Sequence, residues 1–337
     1  ETTRPLPKVA LDTVDPALVA SQKERGQALC ERLVAAMRGV DTAVFHAESG
    51  FVEEHGREAL LTSQGFVGTE EHTYLALSAS CYVKDRDERK QVGWNSRYWC
   101  HLADMDEPEE LGQEAARRAL ARRGTAPAPT GEYPIIFVNY WGDYVTGLLL
   151  QAISGASIYR KMSCLDGKLD TLIASPVLSL TDDPFVPRSL SSRTFDGEGM
   201  VAERRPVIDK GVLRTYYFDS YWARKQGVKA TSGDTANLVF APGTRSGEAM
   251  VAALPRGIFI TDIIGGNFNA TTGDFSTGIA GFLIEEGKLA RPVSEMNLAG
   301  NLLDLLPKLE EVGNDPYPYM SIRSPALRFA PLRVTGT

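Results

Sequence analysis

Few side chains in this chain have the types and spacing that chemistry needs. The four histidines, His46, His55, His72 and His101, all fall in the first third of the sequence. His55 and His72 follow the glutamate pairs Glu53-Glu54 and Glu70-Glu71, yet their separation matches no ligand signature, whereas zinc sites use short fixed spacings. They read as turn or surface histidines, and no metal site is expected in this chain. Asp196-Gly197-Glu198-Gly199 sets two carboxylates two residues apart, which suits general acid–base work or a hard cation. It suits equally a glycine-supported turn whose carboxylates cap backbone N–H groups or pair with Arg193, Arg204 or Arg205, and that structural reading is preferred. Asp274, within Thr272-Gly273-Asp274-Phe275-Ser276, reads as a turn-fixing carboxylate or as part of a substrate-facing wall. A thiol nucleophile at Cys164 would need a histidine, and none is near it in sequence. The chain has no GxSxG elbow, SxxK, phosphate-binding P-loop or GxGxxG. No catalytic residue and no cofactor are expected.

The residues that must be positioned lie mostly in one stretch, Gly265 to Asn314. Gly265, Gly266, Gly273, Gly278, Gly281 and Gly287 permit positive φ or close backbone approach. Asn267, Asn269 and Asp274 add side chains that hydrogen-bond locally. Ile279–Ile284 predicts a buried strand, Glu285–Lys288 a tight turn and Leu289–Leu298 the returning strand. Leu302, Leu305, Leu306 and Leu309 predict a leucine-rich helix, with Pro307 inside it.

Three segments of this half carry a resemblance: TTGDFSTGIAGFLIEEGK with RPVSEMNLAGNLLDLL and EVGND, then RTFDGEGMVAERRPVIDKGVLRTYYFDSYWARKQG (193–227), then QAISGASIYRKMSC (151–164). They resemble the TldD/PmbA family, once called modulators of DNA gyrase, and within it the PmbA (TldE) branch. The likeness is clearest from about residue 130 onward, and it marks Asp196, Gly197, Glu198, Gly199, Thr272, Gly273, Asp274, Ser276, Gly281, Gly300 and Asn301 as family-motif positions, structural or substrate-facing. The resemblance implies that the TldD branch holds a zinc-type metal on an HExxxH helix completed by a later cysteine. Two histidines one helical turn apart can face one metal while the glutamate acts as base. Here the corresponding helix is Gly142–Ser154, without histidine, and residues 313–325 contain no cysteine. All three expected ligands are therefore missing together. The chain begins at Glu1 rather than Met, and the resemblance implies a further N-terminal segment in the family.

Composition is that of an ordinary globular protein, 43% hydrophobic and 23% charged, with net charge −7 and no concentrated basic stripe. Nucleic-acid binding needs clustered cations, so it is not expected. Four cysteines without a CxxC pair suggest reduced thiols and a cytoplasmic protein. No apolar run is long enough for a membrane span.

Residues 1–14 read as an extended lead-in, and Asp15-Pro16 as a helix start leading to Leu29, Leu33 and Met37 on one face. Four strands, Thr42–Glu48, Glu58–Ser63, Thr73–Val83 and Lys90–His101, predict an antiparallel meander, followed by a helix over Pro108–Arg123. Gly124–Gly131 is the best linker. Beyond it come a strand over Tyr133–Asn139, a helix over Gly142–Ser154, a hairpin of Val207-Ile208 and Val212-Leu213, a helix over Ser220–Gln226, and a turn-rich run over 229–256. Helices and strands are segregated, which predicts an α+β fold. Its two domains are an N-terminal helix plus strand meander (1–124) and a C-terminal β-rich domain with a few helices (133–337), joined by a linker (125–132).

The resulting expectation is a non-catalytic, TldE/PmbA-like subunit of a heterodimeric metallopeptidase. The resemblance implies a TldD-like partner that supplies the zinc-type metal, with this chain shaping a shared chamber that processes or degrades unfolded or precursor peptides, an extended peptide adding to strand edges. A homodimer is the alternative where the partner is lacking. The rival functions are an independent biosynthetic or hydrolytic enzyme of the same family, and a regulatory protein acting on DNA enzymes, which the net charge disfavours.

Overall fold

In the computed structural model, residues 5–20 and 23–336 are described. The chain is α+β and divides into two compact units. The first comprises residues 8–125 together with 185–193, and the second residues 126–184 and 194–336 with the short segment 5–7.

In the first unit, α1 (Pro16–Val19) is one turn long, opened by the Asp15 carboxylate accepting from Ala17 N–H at 2.8 Å. The long helix α2 (Lys23–Val40) follows as a separate element rather than as its continuation. Residues 1–4 of the expected lead-in lie outside the described residues. Three strands, β1 (Val44–Leu61), β2 (Val67–Lys84) and β3 (Lys90–Trp99), form an antiparallel sheet in sequence order. The expected Thr42–Glu48 and Glu58–Ser63 are therefore one strand. Gly50 and Gly56, in the interval between those two ranges, lie opposite Ser78 and His72. A Cβ at Gly50 would come 2.6 Å from Ser78 Oγ, and one at Gly56 2.5 Å from His72 Cε1. These glycines make room for cross-strand side chains; they do not bend the chain. Helix α3 (Pro108–Ala121) begins with Pro108 and acidic Glu109 and Glu110, as the helix dipole favours. It presses on β3 at Gly93, where any side chain would strike the Ala115 carbonyl.

The second unit opens with β4 (Gly131–Phe137), α4 (Asp143–Ala152) and α5 (Gly155–Tyr159). Ser154 separates the two helices and caps the second by accepting from Ser157 N–H. Next come β5 (Leu180–Asp182), the hairpin β6 (Arg205–Asp209) and β7 (Val212–Leu213), and α6 (Ser220–Gln226). Lys210 and Gly211 turn the hairpin with φ of 47° and 82°, and Gly227 ends α6 at φ 74°. The run 229–256 is more ordered than its turn content suggests, containing β8 (Leu238–Phe240) and α7 (Gly247–Ala252). The chain closes with β9 (Arg256–Phe268), β10 (Asp274–Glu285), β11 (Lys288–Asn301), α8 (Leu302–Leu305), β12 (Leu309–Val312), β13 (Ile322–Arg323) and β14 (Leu327–Thr335). The leucine-rich helix is thus only α8 plus a 3-10 turn over Leu306–Lys308, and Leu309 already heads a strand. Pro307 cannot extend an α-helical hydrogen-bond ladder, so the leucines at helical spacing pack from a turn and a strand start instead.

The order β11-β10-β9-β4-β14-β12, with β11 also pairing β14, closes five strands into a barrel. Only β4 and β9 in it run parallel. A second sheet has the order β13-β8-β5-β6-β7. Helix α4 buries Val145, Leu148, Leu149 and Ala152 in a core shared by both sheets, among them Ile135, Phe137, Leu180, Phe240 and Phe329.

Candidate functional site

Helix α4 stands where the resemblance expects metal ligands. Its first turn carries Asp143, whose Oδ1 is buried without a hydrogen-bond partner. Burial pushes the Asp143 carboxyl above the usual range, against the backbone N–H groups of Tyr144 and Asp143. The next residue, Tyr144, lays its ring on Phe137, with centroids 6.4 Å apart, and hydrogen-bonds Thr277 through its hydroxyl. Behind them the helix is apolar apart from Thr146 and Gln151. No imidazole or thiol lies on it, and among the described residues no three His, Cys, Asp or Glu side chains cluster as metal ligands. This donor set does not fit a zinc-type ion.

Thr272, Gly273, Asp274 and Asn301 do come together, at the turn between β9 and β10 and the end of β11. Asp274 accepts from the Thr272 hydroxyl at 2.7 Å and from Asn301 Nδ2 at 2.9 Å. Those two donors hold its carboxyl below the usual range. Asn301 Nδ2 also donates to the Thr272 carbonyl, and its Oδ1 accepts from Leu303 N–H to cap α8. Gly273 has φ +85°, and a Cβ there would lie 2.9 Å from Asn301 Oδ1 and 3.2 Å from Cys164 Sγ. Cys164 is tied to this turn by its N–H, which donates to the Ala270 carbonyl at 2.7 Å. Burial, and then the Asp274 charge, push its thiol up, so it is a poor nucleophile. The other motif positions serve the barrel. Ser276 bonds Asn297 across the β10–β11 ladder at 3.1 Å, and Gly300 lies against the Phe275 ring. Gly281 sits at a β-bulge, where a side chain would meet the Phe259 carbonyl.

Asp196, Gly197, Glu198 and Gly199 form a separate knot. Asp196 Oδ1 accepts from the N–H groups of Glu198 and Met200 at 2.9 and 3.0 Å, and its Oδ2 from Ser232 Oγ at 3.1 Å. Gly199 takes φ +77°, while a Cβ at Gly197 would meet nothing within 4 Å. Glu198 accepts from Ser220 N–H at 2.7 Å and Ser220 Oγ at 2.6 Å, anchoring the start of α6. Of the arginines considered as partners, Arg204 reaches Asp183 instead. Met200 and Val201, at the edge of this turn, line a hollow of about 180 Å³ with Glu203, Arg205, Thr215 and Lys229, which contains neither imidazole nor thiol. Both knots direct their carboxylates at backbone, hydroxyl and side-chain amide groups of the same unit, an arrangement that fixes loops. Part-buried Asp143 carried no sequence signal beyond one acid at the head of an apolar helix. Asp182, which accepts from Tyr217 Oη and Ala236 N–H, had none at all.

Sequence profiles described as the PmbA/TldA metallopeptidase central domain and C-terminal domain match residues 17–123 and 130–336. The chain is 31% identical to Metalloprotease PmbA of Escherichia coli O157:H7, over 97% of its own length and 72% of that protein. It is 31% identical to a PmbA homologue of Haemophilus influenzae, over 69% of this chain and only 52% of that protein. It therefore spans between half and three-quarters of these relatives. Among solved structures, a candidate modulator of DNA gyrase from Bacteroides thetaiotaomicron superposes with a TM-score of 0.95 at 33% identity, covering 98% of this chain and 76% of that one. TldE from Thermococcus kodakarensis shares the fold, with a TM-score of 0.83 at 23% identity, covering 100% of this chain and 80% of that one. With profile matches across both units and long, ordered motifs behind them, the chain belongs to the PmbA/TldD metallopeptidase family.

Proposed function

We propose that this chain is the metal-free, TldE-like subunit of a two-subunit peptidase. A TldD-like partner carries the zinc-type metal and the hydrolytic chemistry. This chain walls the shared chamber in which an unfolded or precursor peptide is held, and it stabilises the partner. The observation that carries the reading is helix α4: a family helix built without one imidazole, headed by a part-buried acid whose carboxyl burial pushes above the usual range. The two carboxylate knots fit the same role, since both hold loops. The four cysteines are free thiols, which suits work in the cytoplasm. Among the described residues no helix is long and apolar enough to cross a membrane.

The test is the native mass of this chain co-expressed with the TldD-like homologue of the same genome, with metal measured across the same peak. A one-to-one complex holding metal, with the lone chain metal-free, supports the reading. A chain that ignores the homologue, or that retains stoichiometric metal alone, overturns it.

A further inference from the structure

A surface cluster on α5 and α6 has no part in that reading. Tyr159, at the end of α5, and Tyr221 and Trp222, in the first turn of α6, meet as an aromatic patch. Trp222 lies 5.4 Å from Tyr159 and 4.8 Å from Tyr221, measured between ring centroids. Two cations rest on these rings. The Arg160 guanidinium is 4.8 Å from the centre of Trp222. Lys225 Nζ is 4.9 Å from Tyr221, 5.7 Å from Tyr159 and 5.9 Å from Trp222. The spacing comes directly from the helix: Tyr221 and Lys225 are four residues apart, so they share a face. Tyr159 is 37% and Tyr221 52% exposed, so the patch faces solvent.

Ring faces attract and orient a cation, but they neutralise no charge. Arg160 is close enough to Lys225 to repel it. Among the described residues neither Arg160 nor Lys225 makes an ion pair, and Arg224 in the last turn of α6 makes none either. The nearest acids are committed elsewhere. Asp219 caps α6 through Trp222 N–H, Glu198 holds Ser220, and Asp166 pairs with Lys161. The rings thus hold two adjacent cations in place with their outward donors open, in a protein whose net charge is negative.

The geometry points to a docking site for an acidic, extended peptide segment: its carboxylates bridge Arg160, Lys225 and Arg224, and an apolar or aromatic side chain stacks on Tyr159 and Tyr221. Charge complementarity selects this occupant. A nucleic acid would need a longer basic track, and an overall acidic surface opposes it. The inference concerns the lone chain and does not depend on a metal-bearing partner.

Trp222 provides the readout. The purified chain is titrated with a synthetic Asp/Glu-rich peptide of about ten residues, following tryptophan fluorescence at low salt, with the Asn/Gln isostere and an oligothymidylate as comparisons. Binding on the order of 10–100 µM is expected for the acidic peptide, weakening as salt rises, with none for the isostere. Arg160→Gln with Lys225→Gln should weaken it about tenfold without changing the melting temperature, since both side chains are exposed. Arg160→Glu with Lys225→Glu should transfer binding to a Lys-rich peptide. The proposal is overturned by no binding of the acidic peptide, or by binding that neither pair of changes alters. Tighter binding of the oligonucleotide, or a self-associated dimer that the Gln pair dissolves, overturns it equally by naming another occupant.

Discussion

Carboxylates serve two purposes in this protein, and the surface pairs of the first unit and the motif acids of the second show the difference. In the meander unit, acids meet cations at the surface. Arg32 forks onto Glu109 and Glu107 at 2.6–2.8 Å, Arg188 spans Asp12 and Asp104, and Glu71 takes His55 and Arg57. In the barrel unit, the motif acids meet backbone N–H groups and hydroxyls, as at Asp196, Glu198 and Asp274. Surface pairs form between flexible side chains that water can serve equally well, so each is worth little. A carboxylate that satisfies two buried N–H groups cannot be replaced by water without moving the loop. Charge therefore tunes the surface at the one kind of site and specifies chain path at the other, and each unit holds both: Asp15 takes the N–H groups of Ala17 and Leu102 in the first, while Arg245 forks onto Glu311 in the second.

The sharpest break in this contrast is Asp196→Ala. It orphans the N–H groups of Glu198 and Met200 and the Ser232 hydroxyl at a position only 8% exposed. A loss of about 2–4 kcal/mol is expected in denaturant unfolding. A loss below about 0.5 kcal/mol would mean that the turn is held by its glycines alone.

Asn301→Ala comes next, at about 1–2 kcal/mol, because it removes the α8 cap and one donor to Asp274 together. It also has a pH signature. Asp274 lies below the ordinary carboxylate range, first through the Thr272 hydroxyl and then through Asn301. Its contribution is thus present above the ordinary value and is lost as pH falls through the lower, folded one. The variant should flatten the acid limb of the stability curve; an unchanged limb would remove Asp274 from the account.

How much of this was legible follows from how local each cause is. The β6–β7 hairpin and the end of α6 were readable because Gly211 and Gly227 act within their own turns. The single strand β1 was not readable as one, because the purpose of Gly50 and Gly56 within it lies across the sheet, at Ser78 and His72. Leucine spacing over so few residues fits a helix and a turn-plus-strand alike, and Pro307 decided between them. At the site, Asp274 and Asn301 were each recognisable from the family motif. Their bond joins residues 27 apart, which only strand pairing brings together. The α5–α6 patch had the plainest local pattern of all, Tyr221-Trp222 with Lys225. Its meaning nevertheless depends on Tyr159 and Arg160 arriving from another helix.

Asp143 fits neither use, a part-buried acid with one buried oxygen holding nothing. Burial raises its carboxyl, so the folded state keeps the proton longer than the unfolded chain does. Stability is then greatest below the ordinary carboxylate range and falls as pH rises through it. Asp143→Asn should stabilise the protein at neutral pH by a smaller margin than Asn301→Ala costs, and the gain should vanish in acid. A loss at neutral pH would show that the charge is wanted there, at the head of α4, and would weaken the reading of that helix as a wall without ligands.

The smallest effect belongs to the meander unit. In a double-mutant cycle on Arg32→Gln and Glu109→Gln, the coupling should be no more than about 1 kcal/mol and should shrink in high salt, because both side chains are well exposed. Bidentate geometry places this pair among the stronger surface bridges. It is therefore the fairest challenge to the contrast: a coupling as large as the Asp196 loss would mean that exposed ion pairs, too, specify chain path.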